Sequence, residues 1–277
     1  MNLLQKLIPI LLLSLLCAGC MKYVQLFDTT SLDLQKTDDG SYYFENDTVK
    51  ITYYFWAEKG AIQFKIENKL GVPIYIDWKK SSYIDNTVKL NYWSDEVKTK
   101  TIGTGNSKTT YSTKTNTNKT VAVTSNASQV SSLTTSQERI TFIPPKSIMY
   151  KNSFNIYPLP NFDFGMKPEY KEENSNFNPN TKTRIYYTNF TKSNTPVYFR
   201  NFLTFSLSEK FESEFYIDNG FFISKIREME ITQFQNYKLN DKGLLIRDSR
   251  GYTMKFDYYR NEGSFYLEID RGDRIRN

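Results

Sequence analysis

Val49-Lys50-Ile51-Thr52-Tyr53-Tyr54-Phe55-Trp56 places Val49, Ile51, Tyr53 and Phe55 on one side of an extended chain, with Lys50 and Thr52 on the other. Side chains alternate across a strand, so a period of two marks a strand with one buried face. Lys59-Gly60 turns the chain, and Ala61–Asn68 repeats the pattern, with Ile62, Phe64 and Ile66 inward and Gln63, Lys65 and Glu67 outward. Val72–Trp78 does so again through Val72, Ile74, Ile76 and Trp78, and Val88–Trp93 supplies a fourth segment. Such runs, about ten residues apart and bounded by Gly, Asp and Asn, predict the antiparallel strands of a sandwich. The expected fold is all-β: an antiparallel β-sandwich, immunoglobulin-like or related, with long polar loop insertions and at most one short helix.

Further strands are expected at Ser41–Glu45, Glu138–Ile143, Ile148–Ile156, Arg184–Asn189 and Val197–Leu207. Pro144-Pro145 marks a strand end, because proline cannot donate to a ladder. Glu214–Ile217 and Phe221–Ile223 flank Asp218-Asn219-Gly220, and Asn-Gly is the favoured pair for a tight hairpin turn. Phe222, Ile226 and Met229 fit helical spacing, so Ser224–Phe234 is the one place where a short helix is expected. Leu244–Arg247, Tyr252–Tyr259 and Phe265–Ile269 complete the strands. Residues 99–136 are dominated by Thr, Ser, Asn and Lys, too little apolar surface to offset ordering entropy, and predict a long polar insertion. Residues 158–181 form a second polar connection.

The N-terminal end has a different character. Lys6 precedes an apolar run from Leu7 to Leu16 that is too short to span a bilayer, which takes roughly twenty residues. A basic start, a short apolar stretch and small residues behind it form a secretory signal. Leu15-Leu16-Cys17-Ala18-Gly19-Cys20 then resembles the bacterial lipobox, in which cleavage precedes a cysteine whose thiol receives diacylglycerol. Cys17 stands where that pattern prefers leucine, and Leu16 lies one residue earlier. The resemblance implies a signal peptide over 1–19, palmitate-type acylation of Cys20, a tether over 20–36 and a folded domain over 37–277. Lys22 stands where the enteric sorting rule would place the aspartate of inner-membrane retention, so the expected location is the outer membrane.

Composition narrows the chemistry. The formal charge is +6 and becomes +5 once Lys6 leaves with the signal peptide, and the charges are scattered rather than gathered into a nucleic-acid face. The densest basic group, Arg271, Arg274 and Arg276, is interleaved with Asp270 and Asp273. Of the two cysteines, one leaves with the signal and one is acylated, so no disulfide is expected. The chain has no histidine. That removes Ser-His-Asp and Cys-His nucleophile systems and the usual zinc and facial-triad iron sites. Carboxylate-only chemistry, as in many glycosidases, survives.

The candidate constellations read as structural. Asp77-Trp78-Lys79-Lys80-Ser81-Ser82 brings serine near lysine, but at a strand end with no glycine-rich turn. Glu172-Glu173, Asp38-Asp39 and Glu228/Glu230 are acidic neighbours with no reason to face one another. Trp78 falls on an apolar face, whereas Trp56 falls on the Lys50/Thr52 face and is a candidate exposed ring for a sugar. No catalytic, cofactor or metal residue is assigned; the one expected site is lipidation at Cys20. Asp28-Thr29-Thr30 and Asp47-Thr48-Val49 resemble the acceptor used for O-glycosylation of exported Bacteroidota proteins.

Ile66-Glu67-Asn68-Lys69, Pro73 to Ser82, Phe142-Ile143-Pro144-Pro145-Lys146-Ser147 and Phe199-Arg200-Asn201-Phe202-Leu203 together resemble uncharacterised lipoproteins of Bacteroidota. The expected function is a membrane-anchored, non-catalytic binding or structural module of the bacterial envelope. Its expected partners are the membrane, through the lipid, and an envelope protein or a glycan, with no nucleic acid and no cofactor. The alternative is a carbohydrate-binding or carboxylate-based glycan-processing protein.

Overall fold

The structure is a computed structural model that describes residues 22–93, 98–102, 131–135, 138–156, 161–165, 167–176, 178, 180–237, 240, 242 and 244–270. In chain order the strands are β1 (Lys22–Thr30), β2 (Gln35–Lys36), β3 (Tyr42–Glu45), β4 (Val49–Tyr54), β5 (Ala61–Asn68), β6 (Ile74–Asp77), β7 (Ser82–Asp85), β8 (Val88–Asn91), β9 (Lys98–Ile102) and β10 (Ser131–Thr135). They continue as β11 (Ile140–Ile143), β12 (Ile148–Asn155), β13 (Glu169–Asn174), β14 (Lys182–Asn189), β15 (Tyr198–Ser206), β16 (Glu214–Glu230), β17 (Gln235–Tyr237), β18 (Lys255–Asp257) and β19 (Ser264–Asp270), with one short helix, α1 (Ile231–Phe234).

Two antiparallel sheets pack face to face. The smaller runs β12-β5-β4-β3-β2 and contains the alternating segments around Val49 and Ala61. The larger is built on β16, which is 17 residues long and carries neighbours on both edges. Phe222 faces Tyr198 of β15 on one side and Thr30 of β1 on the other, and Glu228 likewise sits between Tyr186 of β14 and Gln25 of β1. Strands β15 and β14 therefore follow one another along one edge of β16, while β1 and then β19 extend the other. Strands β6 and β7 pair with successive parts of β15.

The core lies between the sheets. Val49, Ile51, Tyr53, Phe55, Ile62, Phe64 and Ile66 meet Phe199, Leu203, Phe205, Phe221 and Ile223, all fully buried or nearly so. Phe221 is the hub: its ring lies 5.0 Å from Phe55, 5.0 Å from Tyr53, 5.2 Å from Phe199 and 5.7 Å from Tyr42. Edge-to-face and offset contacts of this kind add about 0.5–1.5 kcal/mol each beyond area burial. A buried polar chain runs beside the rings. The Tyr53 hydroxyl donates to Asn219 Oδ1 at 2.8 Å, Asn201 Nδ2 donates to the Tyr53 oxygen at 3.2 Å, and the Tyr92 hydroxyl donates to Asn201 Oδ1 at 2.8 Å.

That chain explains the first correction. Asp218-Asn219-Gly220 is no hairpin turn but the middle of β16, because Asn219 is buried and spends its amide oxygen on Tyr53 across the core. Gly220 is needed for space, not for a left-handed backbone: a Cβ there would come 2.8 Å from the Tyr198 hydroxyl oxygen. The helix expected over Ser224–Phe234 shrinks to Ile231–Phe234, and the residues before it continue the strand. The second half of strand β16 is covered on both faces, with Ile226 in the main core and Met229 in a second cluster, so its apolar residues there have no alternation left to betray a strand.

The tether expected over 20–36 is also corrected. Strand β1 occupies 22–30 as an inner strand, and Val24, Leu26 and Phe27 are wholly buried. Its polar residues hid it: Gln25 binds Glu228 and the backbone of Phe162, Asp28 pairs with Arg227, and the Thr29 hydroxyl donates to the Gly263 carbonyl. Residues 22–30 thus belong to the sheet and not to a tether. Strand β7 and, inside the 158–181 connection, strand β13 are additions, both polar enough to pass for loop. Val72, expected inside, lies 52% exposed ahead of β6. Of the 99–136 insertion, residues 98–102 and 131–135 pair as β9 and β10, and the stretch between lies outside the described residues. The strands expected at Leu244–Arg247 and Tyr252–Tyr259 reduce to isolated bridge residues, Arg247 with Thr253 among them, and the three-residue β18. Among the described residues no helix is long and apolar enough to cross a membrane.

Replacing Phe221 by alanine removes the ring that four others share and should cost about 3–5 kcal/mol. Tyr216, five residues earlier on the same strand and 70% exposed, should tolerate alanine within about 1 kcal/mol. Urea unfolding of the two variants measures the contrast, and equal losses would contradict the hub.

Candidate functional site

Cys20, the expected acylation site, lies outside the described residues, but the ordered sheet begins at Lys22, two positions later. Strand β1 starts at an end of the larger sheet where β16 finishes, since Tyr23 pairs with Glu230 on one side and with Ile269 of β19 on the other. Two grooves open there, one on each face of the sheet.

The inner groove has a volume of about 310 Å³ and is lined by Tyr23, Lys182, Thr183, Arg184, Tyr186 and Glu230. Alternation puts Glu228 and Glu230 on one face of β16, two residues and about 6–7 Å apart along the strand. Glu228 is 2% exposed. Gln25 Nε2 donates to Glu228 Oε2 at 2.9 Å and to the Phe162 carbonyl at 2.7 Å, and the Phe162 N–H returns a bond to Gln25 Oε1 at 2.6 Å. Glu228 is therefore a buried carboxylate held by a clamped amide, while Glu230, two residues on, lines the groove. Across the groove the Arg184 guanidinium lies 4.7 Å over the Tyr170 ring, and Tyr170 packs against Tyr186 at 6.0 Å. Cationic donors, a carboxylate acceptor and tyrosine rings on one wall suit a polar, hydroxyl-rich ligand. This grouping escapes sequence reasoning because Glu228 and Glu230 share a face only if the chain is extended there.

The outer groove, about 230 Å³, is lined by Lys22, Ile231, Thr232, Gln235, Asn236, Tyr237 and Lys255. Helix α1 shapes it by turning the chain off the end of β16. Phe234 is wholly buried, its ring 5.9 Å from Trp56 and 5.1 Å from Tyr266. Trp56, expected as a candidate sugar platform, is thus half-buried in this second cluster of Val24, Leu26, Ile185, Met229 and Phe234. Gln233 ties the turn down by accepting from the Asn176 N–H at 2.8 Å and donating to the Tyr259 hydroxyl oxygen at 3.2 Å. Burial, and then the Glu173 carboxylate that accepts from it, push the Tyr259 hydroxyl up to about 12, so it acts as a proton donor throughout the neutral range.

The remaining sequence candidates have structural partners. The Ser81 hydroxyl donates to the Asp77 carbonyl at 2.8 Å and accepts from the Thr204 N–H at 3.0 Å, while Lys80 pairs with Glu214 and Lys79 lies 5.3 Å over the Trp93 ring. No lysine amine engages that serine oxygen. Asp77 receives Arg139 at 2.7 Å and the Lys79 N–H at 2.9 Å. Of the two glycosylation-like motifs, Thr29 is buried and bonded, whereas Thr48 sits half-buried at the turn that Asn46 closes by accepting from the Thr48 and Val49 N–H groups. Among the described residues no group of three or more acidic or cysteine side chains is placed to hold a metal.

No family model, no curated protein and no solved structure matches the chain.

Burial alone would raise the Asp77 carboxyl, but the Arg139 hydrogen bond and the Lys79 and Lys80 N–H groups outweigh it and hold it below the usual range. A carboxyl lowered by folding adds stability that is present above about pH 4 and is lost as the pH falls further. Asp77→Asn should therefore be about 1–2 kcal/mol less stable at pH 7 and show a flatter decline between about pH 4 and pH 2. Urea midpoints across that range check it, and parallel pH profiles for the two proteins would contradict it.

Proposed function

We propose that the chain is a non-catalytic binding module of the bacterial envelope, moored to the outer membrane through acyl chains on Cys20. The observation that supports this reading is the place of β1: only Met21 separates Cys20 from an inner strand of the larger sheet. Two or more acyl chains are needed for stable anchoring, because each buried methylene contributes about 0.8 kcal/mol and one chain holds only marginally. An anchor set directly on a sheet holds the body, its grooves included, at the bilayer with little slack. Restricting the module to a thin layer raises its effective concentration toward any partner in the same envelope, so modest contacts suffice. The partners are the membrane itself and an envelope protein or glycan.

The test is radiolabelled palmitate fed to cells that express the chain. Label should enter the wild type and not Cys20→Ser, and the variant should leave the washed membrane fraction. A labelled or membrane-retained Cys20→Ser protein contradicts the anchor.

The inner groove favours a second reading, glycan binding, because Glu230, Arg184, Lys182 and Tyr186 offer acceptors, donors and ring surface on one wall. In a glycan-array screen, any saccharide bound by the wild type should lose about tenfold in affinity when Arg184 is changed to alanine, a loss of about 1.4 kcal/mol. Silence across the array ends that reading and leaves the anchored module with a protein partner.

A further inference from the structure

Among the described residues, 235–237 and 244–258 form a ribbon that leaves the body after α1 and returns to it at Tyr259. Strands β17 and β18 pair Gln235 with Asp257, Asn236 with Phe256 and Tyr237 with Lys255. Beyond them the ribbon is closed by the Arg247–Thr253 bridge and by the Met254 N–H to the Ile246 carbonyl at 2.9 Å. Two short strands cannot make a core, and an isolated hairpin of this size is marginal in water. The ribbon nonetheless exposes Tyr237, Leu244, Leu245, Tyr252, Phe256 and Tyr258, with Tyr252 at 69% and Leu244 at 61%. Phe256 and Tyr258 share one face, their rings 5.2 Å apart, while Tyr237 sits with Lys255 on the other. Large apolar side chains gathered on both faces of one projecting element, rather than scattered singly, mark a surface that meets something other than water.

What covers it follows from where the chain end lies. Lys22 lines the outer groove together with Tyr237 and Lys255, so the N-terminal end of β1 sits at the base of the ribbon. Cys20 is two residues before Lys22, and two residues reach at most about 7 Å. Acyl chains at that distance bring the ribbon's base to the membrane surface. The ribbon's charge suits that surface: between Gln235 and Tyr258 there are five Lys or Arg against three Asp, and Lys22 adds a sixth cation. The Arg250 guanidinium lies 5.5 Å over the Tyr252 ring with its side chain 77% exposed. Tyrosine rings at headgroup depth, with Lys and Arg stems lying along apolar surface and their charges directed at phosphates, are the ordinary chemistry of an interfacial element.

We propose that the 235–258 ribbon lies in the headgroup layer of the bilayer that carries the anchor, its aromatic and leucine side chains at the acyl boundary and its cations on anionic lipid phosphates. The ribbon is then a second contact that orients the sandwich by restraining its tilt against the bilayer, which the lipid alone leaves free. This rests on acylation of Cys20.

The experiment uses the full lipidated protein reconstituted into vesicles of phosphatidylethanolamine and phosphatidylglycerol. Once Cys17 leaves with the signal and Cys20 carries lipid, a cysteine introduced as Tyr252→Cys is the sole thiol for a fluorophore. A lipid-borne quencher should cut its emission about threefold, as for a side chain at interfacial depth, and aqueous iodide should quench it little. A fluorophore at Tyr216→Cys, 14 residues from Glu230 along β16 and so up to about 45 Å away, should respond to iodide and not to the lipid quencher. Adding Leu244→Glu and Phe256→Glu, both at exposed positions, should abolish lipid quenching at 252 while the urea midpoint stays unchanged. Palmitate incorporation is read on the same samples. Absence of the acyl label overturns the anchor and this inference with it. An acylated protein whose 252 probe is quenched by iodide alone overturns this inference and leaves the anchor standing. A probe shielded from both quenchers overturns it in favour of a protein partner, and lipid quenching that survives the double glutamate variant overturns the role given to the apolar side chains.

Discussion

The contact between β16 and β4 across the core carries the most weight in this structure. Phe221 enters a cage of Tyr42, Tyr53, Phe55 and Phe199, and two residues earlier Asn219 accepts the Tyr53 hydroxyl. The rings supply non-directional burial; the amide supplies direction, because a buried hydroxyl without a partner costs about 1–3 kcal/mol. Tyr53 and Asn219 satisfy one another in only one register, and a slip of one residue would turn both out of the core. With no histidine to coordinate and no cysteine expected to pair, the sheets are locked together by this mixed apolar and polar contact. Burial pushes the Tyr53 hydroxyl far above its ordinary range, so it stays a neutral donor at any physiological pH.

From that lock the long strand acquires two jobs. Its first half joins β15 and closes the main core, and its second half runs between β14 and β1 with a cluster on either face. The sheet therefore has a thick middle and a thinner end, and the grooves occur at the thin end, where Tyr23, Arg184 and Glu230 are no longer covered by the second sheet. Gln25 and Glu228 mark the boundary. They are the polar pair that an inner strand tolerates just before the packing opens, and the Phe162 backbone closes the amide from above.

How much of this could be read from the chain follows from which faces water touches. Strands β4 and β5 each keep a wet face, so Lys50 or Gln63, Lys65 and Glu67 alternate with apolar neighbours, and the all-β sandwich was legible from them. Strand β1 and the second half of β16 are covered on both faces, and there the pattern disappears: Val24, Leu26 and Phe27 are all buried, and Phe222, Ile226 and Met229 mimic a helix. Local turn chemistry misled at Asn219-Gly220, where a distant tyrosine outbid the turn for the asparagine side chain. The inner groove was illegible for the same reason, since Glu230 comes to face Tyr23 and lie beside Arg184 only once β16 is known to be a strand. The lipobox-like stretch ending at Cys20 is different in kind, because a lipobox would be a linear signal and owes nothing to the fold.

An anchor attached to a strand has consequences that a floppy tether would not. Had residues 20–36 been a random coil, 17 residues would allow excursions of roughly 20–25 Å, and the body could tumble freely above the bilayer. Under the proposed acylation of Cys20, only Met21 would stand between the lipid and β1, which is hydrogen-bonded along its length to β16 and β19. On that proposal, any force on the acyl chains would pass directly into the larger sheet. Such an arrangement would gain nothing as a search arm, but it would hold both grooves near one surface and favour ligands confined there. Lys22, Tyr237 and Lys255 line one groove, so under the same proposal the ribbon would meet that surface too.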